Sequence, residues 1–315
     1  MLAETFAASK RWCKIHFPEF IVHDAKSEPA TLSNTVSELG EGPSFEPETN
    51  TLWWFDILGK LLHERNLSTG EERHHPLPFM ASVIARVDAE RQLLATEEGL
   101  YIRSRRNGAL SLYCELEAKE AGNRSNDGRL HPSGSLWIGT MGKEAEEGAG
   151  AIYHVAQKTV TRLFPNMSIP NGICFSPDGS TGYFVDTARN LLMRVSLDAS
   201  TGLPIGEPAI LIDTSDRPGG MDGSVCDRDG NIWNARWGAG AVDCYSPDGT
   251  LVTRHTLPAR QTTCPVFFGP GLTKIGVTSA WEGLSPAQRE SDPLAGQVFA
   301  FPAGAAGTPE PSFRV

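Results

Sequence analysis

The stretch IPNGICFSPDG, Ile169 to Gly179, sets an asparagine, a short apolar run and an Asp-Gly turn in a fixed order, and that order returns along the chain. Asn171 stands eight residues before Gly179, Asn126 eight before Gly134 in NDGRLHPSG, and Asp222 eight before Gly230 in DGSVCDRDG. Glu41, in EGPSFEPETN, takes the same place if Thr49 fills the turn position. Glu41, Asn171 and Asp222 are each followed by glycine.

Around these positions each unit reads as a first strand, a turn, an aromatic or aliphatic second strand and a further hairpin. The second strands include Thr51 to Ile57 (TLWWFDI), Ser135 to Thr140 (SLWIGT), Thr181 to Thr187 (TGYFVDT) and Asn231 to Trp237 (NIWNARW). Third strands follow, as in Gly99 to Ser104 and Gly150 to Val155, and fourth strands in Ala109 to Leu116, Thr159 to Phe164 and Thr250 to Leu257. Asp178-Gly179, Asp229-Gly230 and Asp248-Gly249 supply hairpin turns tolerant of positive φ. Carrying the register through every unit gives Glu41, Ser82, Asn126, Asn171, Asp222 and Thr263, in steps of 41, 44, 45, 51 and 41 residues. Helical periodicity is weak, and this period suits four-stranded blades. The expected fold is all-β: a six-bladed β-propeller of antiparallel blades around a central channel.

Residues 1–16 read as an N-terminal extension and residues 17–315 as one propeller domain. The β-rich Phe20 to His23 is the strand expected to pair with the last blade and close the ring, whereas Asp24 to Asn34, rich in Ser, Pro and Thr, reads as loop. Loops such as Gly142 to Ala149 and Ala280 to Ala295 read as irregular.

In 315 residues the chain can bury a large core without disulfides. Its 28 basic against 38 acidic side chains repel a phosphate backbone, which argues against a nucleic-acid partner. The cluster Arg103 to Arg106 reads as a solvated hairpin. Six scattered cysteines form no CxxC pair and read as reduced core residues. Glu4 interrupts the apolar region a signal peptide needs, and no membrane-length apolar run occurs. A soluble, cytoplasmic protein, monomeric or weakly oligomeric, is expected.

In a propeller the first strand of each blade lines the channel, so Glu41, Asn126, Asn171 and Asp222 should converge at one mouth, with Ser82 and Thr263 completing the ring. Each alone reads more readily as a turn or loop residue; the shared register sets them apart. Two neighbouring buried carboxylates repel unless one is protonated or a cation lies between them. Carboxylate and amide oxygens without His or Cys suit hard cations such as Ca²⁺, Mg²⁺ or Mn²⁺. Other chemistries lack their motifs: there is no G-x-S-x-G elbow, no phosphate-binding P-loop and no dinucleotide fingerprint. His74, His75 and His131 read as loop or turn residues. Trp53, Trp54, Trp137 and Trp233 read as packing between blades, and Trp237 as packing or a pocket border.

From about Leu39 to about Phe301 the chain resembles the SMP-30/gluconolactonase/regucalcin-like family. The resemblance rests on LGEGP (Leu39 to Pro43), RSNDGRLHPSGSLWIGTM (Arg124 to Met141), PNGICFSPDG (Pro170 to Gly179) and MDGSVCDRDGNIW (Met221 to Trp233). It implies one divalent metal ion (Ca, Zn, Mn, Mg or Fe) held by Glu41, Asn171 and Asp222, and hydrolysis of a sugar lactone. It also implies Asp222 as the proton-transfer residue and Arg124, Asn126 and Glu144 as substrate contacts. Blade six and the N-terminal extension depart from the pattern. The competing reading is a non-catalytic calcium-binding or interaction propeller.

Overall fold

The computed structural model describes residues 28–315, which form six four-stranded antiparallel sheets. In five of them the strands lie in chain order, each hydrogen-bonded to its sequence neighbour, because the Gly, Asn and Asp turns between them leave room only for hairpins. The innermost strands, blade one to blade six, are Gly40–Glu46, Ala81–Arg86, Asn123–Leu130, Pro170–Phe175, Gly220–Cys226 and Thr262–Phe268. Each packs against the inner strand of the next blade, and blade six returns to blade one. The all-β six-bladed propeller is thus the observed fold.

Blade six takes its outer strand from the start of the chain: Ala30–Ser33 pairs with Val298–Pro302, Ala30 opposite Ala300 and Thr31 opposite Phe299. Closure by an N-terminal strand is found, but through a segment read as loop. This strand is bonded along one edge and mostly accessible, so it carries no alternating apolar signature. The expected closing strand, Phe20 to His23, and the extension 1–16 lie outside the described residues. Two further outer strands, Glu72–Pro76 and Ala209–Asp213, complete blades one and four and were not expected from the sequence. Within the irregular stretch after Ala280 the structure has a short helix, Pro286–Ser291, with Ser285 as its cap.

The core lies between blades. Trp54, Trp137 and Trp233 on second strands are fully buried, as expected, and the Trp137 indole donates to Gly202 O at 2.9 Å. His131 is also buried rather than exposed: its Nε2 bonds the Gly179 carbonyl at 2.9 Å, tying blade three to the hairpin turn of blade four. Among the described residues no helix is long and apolar enough to cross a membrane.

One feature of the strands positions the site. All six inner strands break register with their partners at the same level, at Glu41/Ser44, Ala81/Val83, Ser125/Gly128, Asn171/Cys174, Met221/Ser224 and Thr262/Pro265. A bulge bends a strand and re-aims its side chains. Here six bulges form a ring around one end of the channel, and the polar register of the sequence falls on them.

Candidate active site

Glu41, Arg124, Asn126, Glu144, Asn171 and Asp222 all line one pocket of about 340 Å³, together with Lys143, Thr187, Trp237 and Glu282. Four blades therefore deliver the residues that the sequence placed in one register. Ser82 and Thr263, expected to complete the ring, do not line this pocket. The Ser82 hydroxyl donates to Ser125 Oγ at 2.9 Å and the Thr263 hydroxyl to Gly40 O at 2.6 Å, so each fastens its inner strand to the next blade.

The glycines after the ring residues follow from this packing. A side chain at Gly42, whose φ is +54°, would place its Cβ 1.9 Å from Ser82 O in blade two. At Gly223 the Cβ would lie 2.5 Å from Cys264 Sγ in blade six. The ring residue turns into the pocket because its successor is crushed against the neighbouring strand.

The amides of the ring form a directed chain of hydrogen bonds. Arg124 Nη1 donates to Asn126 Oδ1 at 2.7 Å, and Asn126 Nδ2 donates to Asn171 Oδ1 at 2.9 Å. Asn171 Nδ2 then donates to Thr187 Oγ1 at 2.9 Å, whose hydroxyl donates to Met221 O at 2.7 Å. This chain fixes the Asn171 amide with its oxygen toward the ring and leaves that oxygen a second lone pair. Asn126, expected as a substrate contact, lines the pocket and also uses its amide to position its neighbours. Asn234 Nδ2 donates to Asp222 O at 2.7 Å and to Ser224 Oγ at 3.0 Å, pinning the Asp222 bulge from behind.

Burial and mutual repulsion dominate the electrostatics. Desolvation and the nearby Asp127 push the Glu41 carboxyl up to about 8, and desolvation with Glu41 pushes Asp222 well above the ordinary carboxylate range. Asp127, in the NDG triplet that resembles a turn, is instead a buried strand residue: it accepts from Gly128 N at 2.8 Å and from Ile173 N at 2.7 Å. Burial also depresses the Arg124 guanidinium, which Glu282, Glu41 and Asp222 pull back up. Its Nε is buried without a partner.

Among the described residues no three His, Cys, Asp or Glu side chains are arranged to hold a metal. The ring itself offers two carboxylates, Glu41 and Asp222, and the amide oxygen of Asn171. Two buried carboxylates that resist ionisation side by side, with an amide oxygen aimed between blades, are the donor set a hard divalent cation fits.

Thr187 and Glu282, like Lys143, line the pocket but were not legible in the sequence as site residues. Thr187 sits at the end of a second strand, where only its hydroxyl's reach to Asn171 reveals its part. Glu282 comes from the loop beyond blade six's second strand, where no periodicity predicts placement. Trp237 does border the pocket, one of its two expected places.

Comparison with known proteins gives one family match, to the SMP-30/Gluconolactonase/LRE-like region, over residues 39–281. A Rhizobium meliloti protein provisionally named a sugar lactone lactonase is 55% identical over 285 residues, 90% of this chain and 97% of the relative. The L-arabinolactonase of Azospirillum brasilense is 35% identical over 286 residues, 88% of this chain and 92% of its own length. Among solved structures, that of a calcium-binding protein, regucalcin, from Agrobacterium tumefaciens is 52% identical with a TM-score of 0.90, covering 92% of this chain and 98% of that one.

Proposed function

The chain belongs to the SMP-30/gluconolactonase/LRE-like family, and from that premise we propose that it is a divalent-metal-dependent lactonase that opens a sugar lactone to the sugar acid. The observation that carries this reading is the convergence of Glu41, Asn171 and Asp222 with Arg124 and Asn126 in one pocket of about 340 Å³. That volume suits a small molecule. A cation bound only to stabilise the fold has no need of an arginine with a free donor beside it. The lactonase names of two relatives point the same way.

In this mechanism Glu41, Asn171 and Asp222 hold the cation, which when bound polarises the lactone carbonyl and stabilises charge on its oxygen. Arg124 orients the substrate through its guanidinium, whose Nη1 is held by Ser125 O and Asn126 Oδ1, and Asn126 keeps both Arg124 and the Asn171 amide in place. Asp222, through a carboxylate oxygen directed to the pocket, accepts a proton from the attacking water. Water oxygen joins the acyl carbon, the bond from that carbon to the ring oxygen breaks, and Asp222 returns the proton to the departing oxygen as it becomes a hydroxyl. The new carboxylic acid then loses its own proton to solvent.

A pH-indicator assay over a panel of aldonolactones, with EDTA and with added Ca²⁺, Mn²⁺, Mg²⁺ or Zn²⁺, tests the proposal. The expected result is acid release that EDTA abolishes and one of the metals restores. Tight metal binding with no hydrolysis of any lactone would instead favour a non-catalytic calcium-binding propeller, the reading that the solved calcium-binding relative keeps open.

A further inference from the structure

Blade six is the one blade whose ring position, Thr263, is bonded to the backbone of blade one, and its contribution to the pocket comes from the loop after Lys274–Ser279. That loop is anchored where it enters. The amides of Trp281 and Glu282 both donate to Glu38 O at 3.0 Å, and Gln261 Nε2 donates to Glu282 O at 2.9 Å. The Trp281 ring lies under the Arg289 guanidinium at 3.9 Å, which ties the loop to the short helix Pro286–Ser291. Glu282 is therefore held at the pocket wall, half-buried, with its carboxylate in the field of Arg124.

The charges of the pocket are unevenly matched. Four carboxylates, Glu41, Glu144, Asp222 and Glu282, face two cations, Arg124 and Lys143. A divalent cation at the ring would balance the excess only if Lys143 counted in full. Lys143 is already engaged: its Nζ lies 2.6 Å from Glu97 Oε2 and donates to Ala121 O at 2.9 Å. That leaves no pocket cation but Arg124, itself set among Glu282, Glu41 and Asp222, to receive a phosphate, sulfonate or second carboxylate on the substrate, and Glu38 adds negative charge beside Glu282. A carboxylate at the wall, however, accepts hydrogen bonds from hydroxyl groups, and a neutral polyol supplies them.

Resting on the lactonase reading, we propose that Glu282 is a specificity-determining residue that accepts a hydroxyl of a neutral polyhydroxylated lactone and, with Glu144, turns away lactones that carry an anionic substituent.

Steady-state kinetics on a neutral aldonolactone from the panel and on 6-phosphogluconolactone test this. The wild type should strongly prefer the neutral substrate. Losing a hydrogen bond to a charged acceptor should raise KM for the neutral lactone about tenfold in Glu282→Ala, with a smaller effect on kcat. Reversing the charge in Glu282→Lys should shift the neutral-to-anionic ratio of kcat/KM by about tenfold or more toward the anionic substrate. Calorimetric titration with Ca²⁺ and Mn²⁺ should give wild-type affinity in Glu282→Ala, which separates substrate recognition from damage to the ring. Equal wild-type use of both substrates, or unchanged KM and ratio in the two variants, would overturn the inference while leaving the lactonase reading intact. Failure of the wild type to open any lactone would overturn that reading itself.

Discussion

At the scale of single residues, the ring holds two buried carboxylates in conflict, and its pH dependence follows from that conflict. Glu41 is pushed up to about 8 and Asp222 well above its ordinary range, so the metal-free fold retains protons that the unfolded chain has released. A raised carboxylate pKa contributes stability at low pH that is lost as pH rises toward the folded value, here up to about 8 for Glu41. Cation binding must expel those protons, so affinity should rise with pH across the same window, by up to about tenfold per pH unit for each proton displaced. Thermal melts with and without metal at about pH 5.5 and about pH 8 check the sign: the metal-induced gain in Tm should be the larger at the higher pH. The amide chain gives a second expectation. Thr187→Val removes the acceptor that orients Asn171 and should weaken metal binding by about tenfold or more, within the range seen when a ligand's outer partner is lost. Asn171→Ala should weaken it further with the propeller still folded; unchanged affinity in calorimetry would remove Asn171 from the site. Glu41, Asn171 and Asp222 were legible because a polar residue before glycine recurs at one level of a repeated strand. Glu282 and Thr187 were not, since a loop conformation in one case and a cross-strand hydroxyl in the other decide their place, and neither leaves a period in the sequence.

At the scale of elements, the inner strands were the easiest to read and the outer strands the hardest, because burial writes the pattern. Second strands are packed on both faces and read as apolar runs, and inner strands read through the polar residues and glycines of their shared register; Glu72–Pro76, Ala209–Asp213 and Ala30–Ser33 are edge strands with mostly accessible side chains. The bulge itself was invisible except through its glycines. Gly42→Ala should therefore be among the most damaging small substitutions in the chain. It combines a left-handed φ of +54° with a Cβ 1.9 Å from Ser82 O, and neither strand can retreat without opening the blade-one to blade-two seam. A cost above about 2 kcal/mol is expected from urea unfolding, since the conformational penalty alone is about 1–2 kcal/mol. Blade one also holds an acid-sensitive pair. His63 Nδ1 lies 2.8 Å from His74 Nδ1, and burial together with His74 pushes His63 down to about 4. The fold favours neutral His63, so its contribution is full above the ordinary value near 6.5 and is lost as pH falls from there toward 4. Up to about 3 kcal/mol is at stake, and His63→Gln should flatten the fall of the unfolding midpoint over that interval.

At the scale of the whole molecule, a propeller is a ring whose channel has two mouths, and only one of them carries the candidate site. Three residues further along the inner strands from Glu41 and Asn126 stand Ser44 and Arg129, deep toward the other mouth. There the C-terminal segment crosses the channel: Gly307 N donates to Leu272 O in blade six, Phe313 N to Arg86 O in blade two, and Arg314 N to Gly134 O in blade three. Glu310 projects from this crossing into the channel, accepting from Ser44 Oγ at 2.7 Å and pairing with Arg129, whose Nη2 also donates to Ser224 O at 3.1 Å. Blades one, three and five and the C-terminal segment thus meet in one network, so the first and last of the described segments both serve closure, one at the rim and one on the axis. Arg129 is largely buried, with 11% of its side chain exposed and its Nε already without a partner. Glu310→Ala would leave that guanidinium in the field of two remaining carboxyl groups, Asp127 and Glu41, both buried and raised toward the neutral form. Removing one partner of a buried ion pair costs about 3–5 kcal/mol, and Asp127 offsets part of it, so a loss of about 3 kcal/mol in urea unfolding is expected. Glu310→Gln, which keeps the acceptor for Ser44 and one for Arg129, should lose less. If both variants unfold at the wild-type midpoint, the C-terminal crossing is a passive cover and closure rests on Ala30–Ser33 alone.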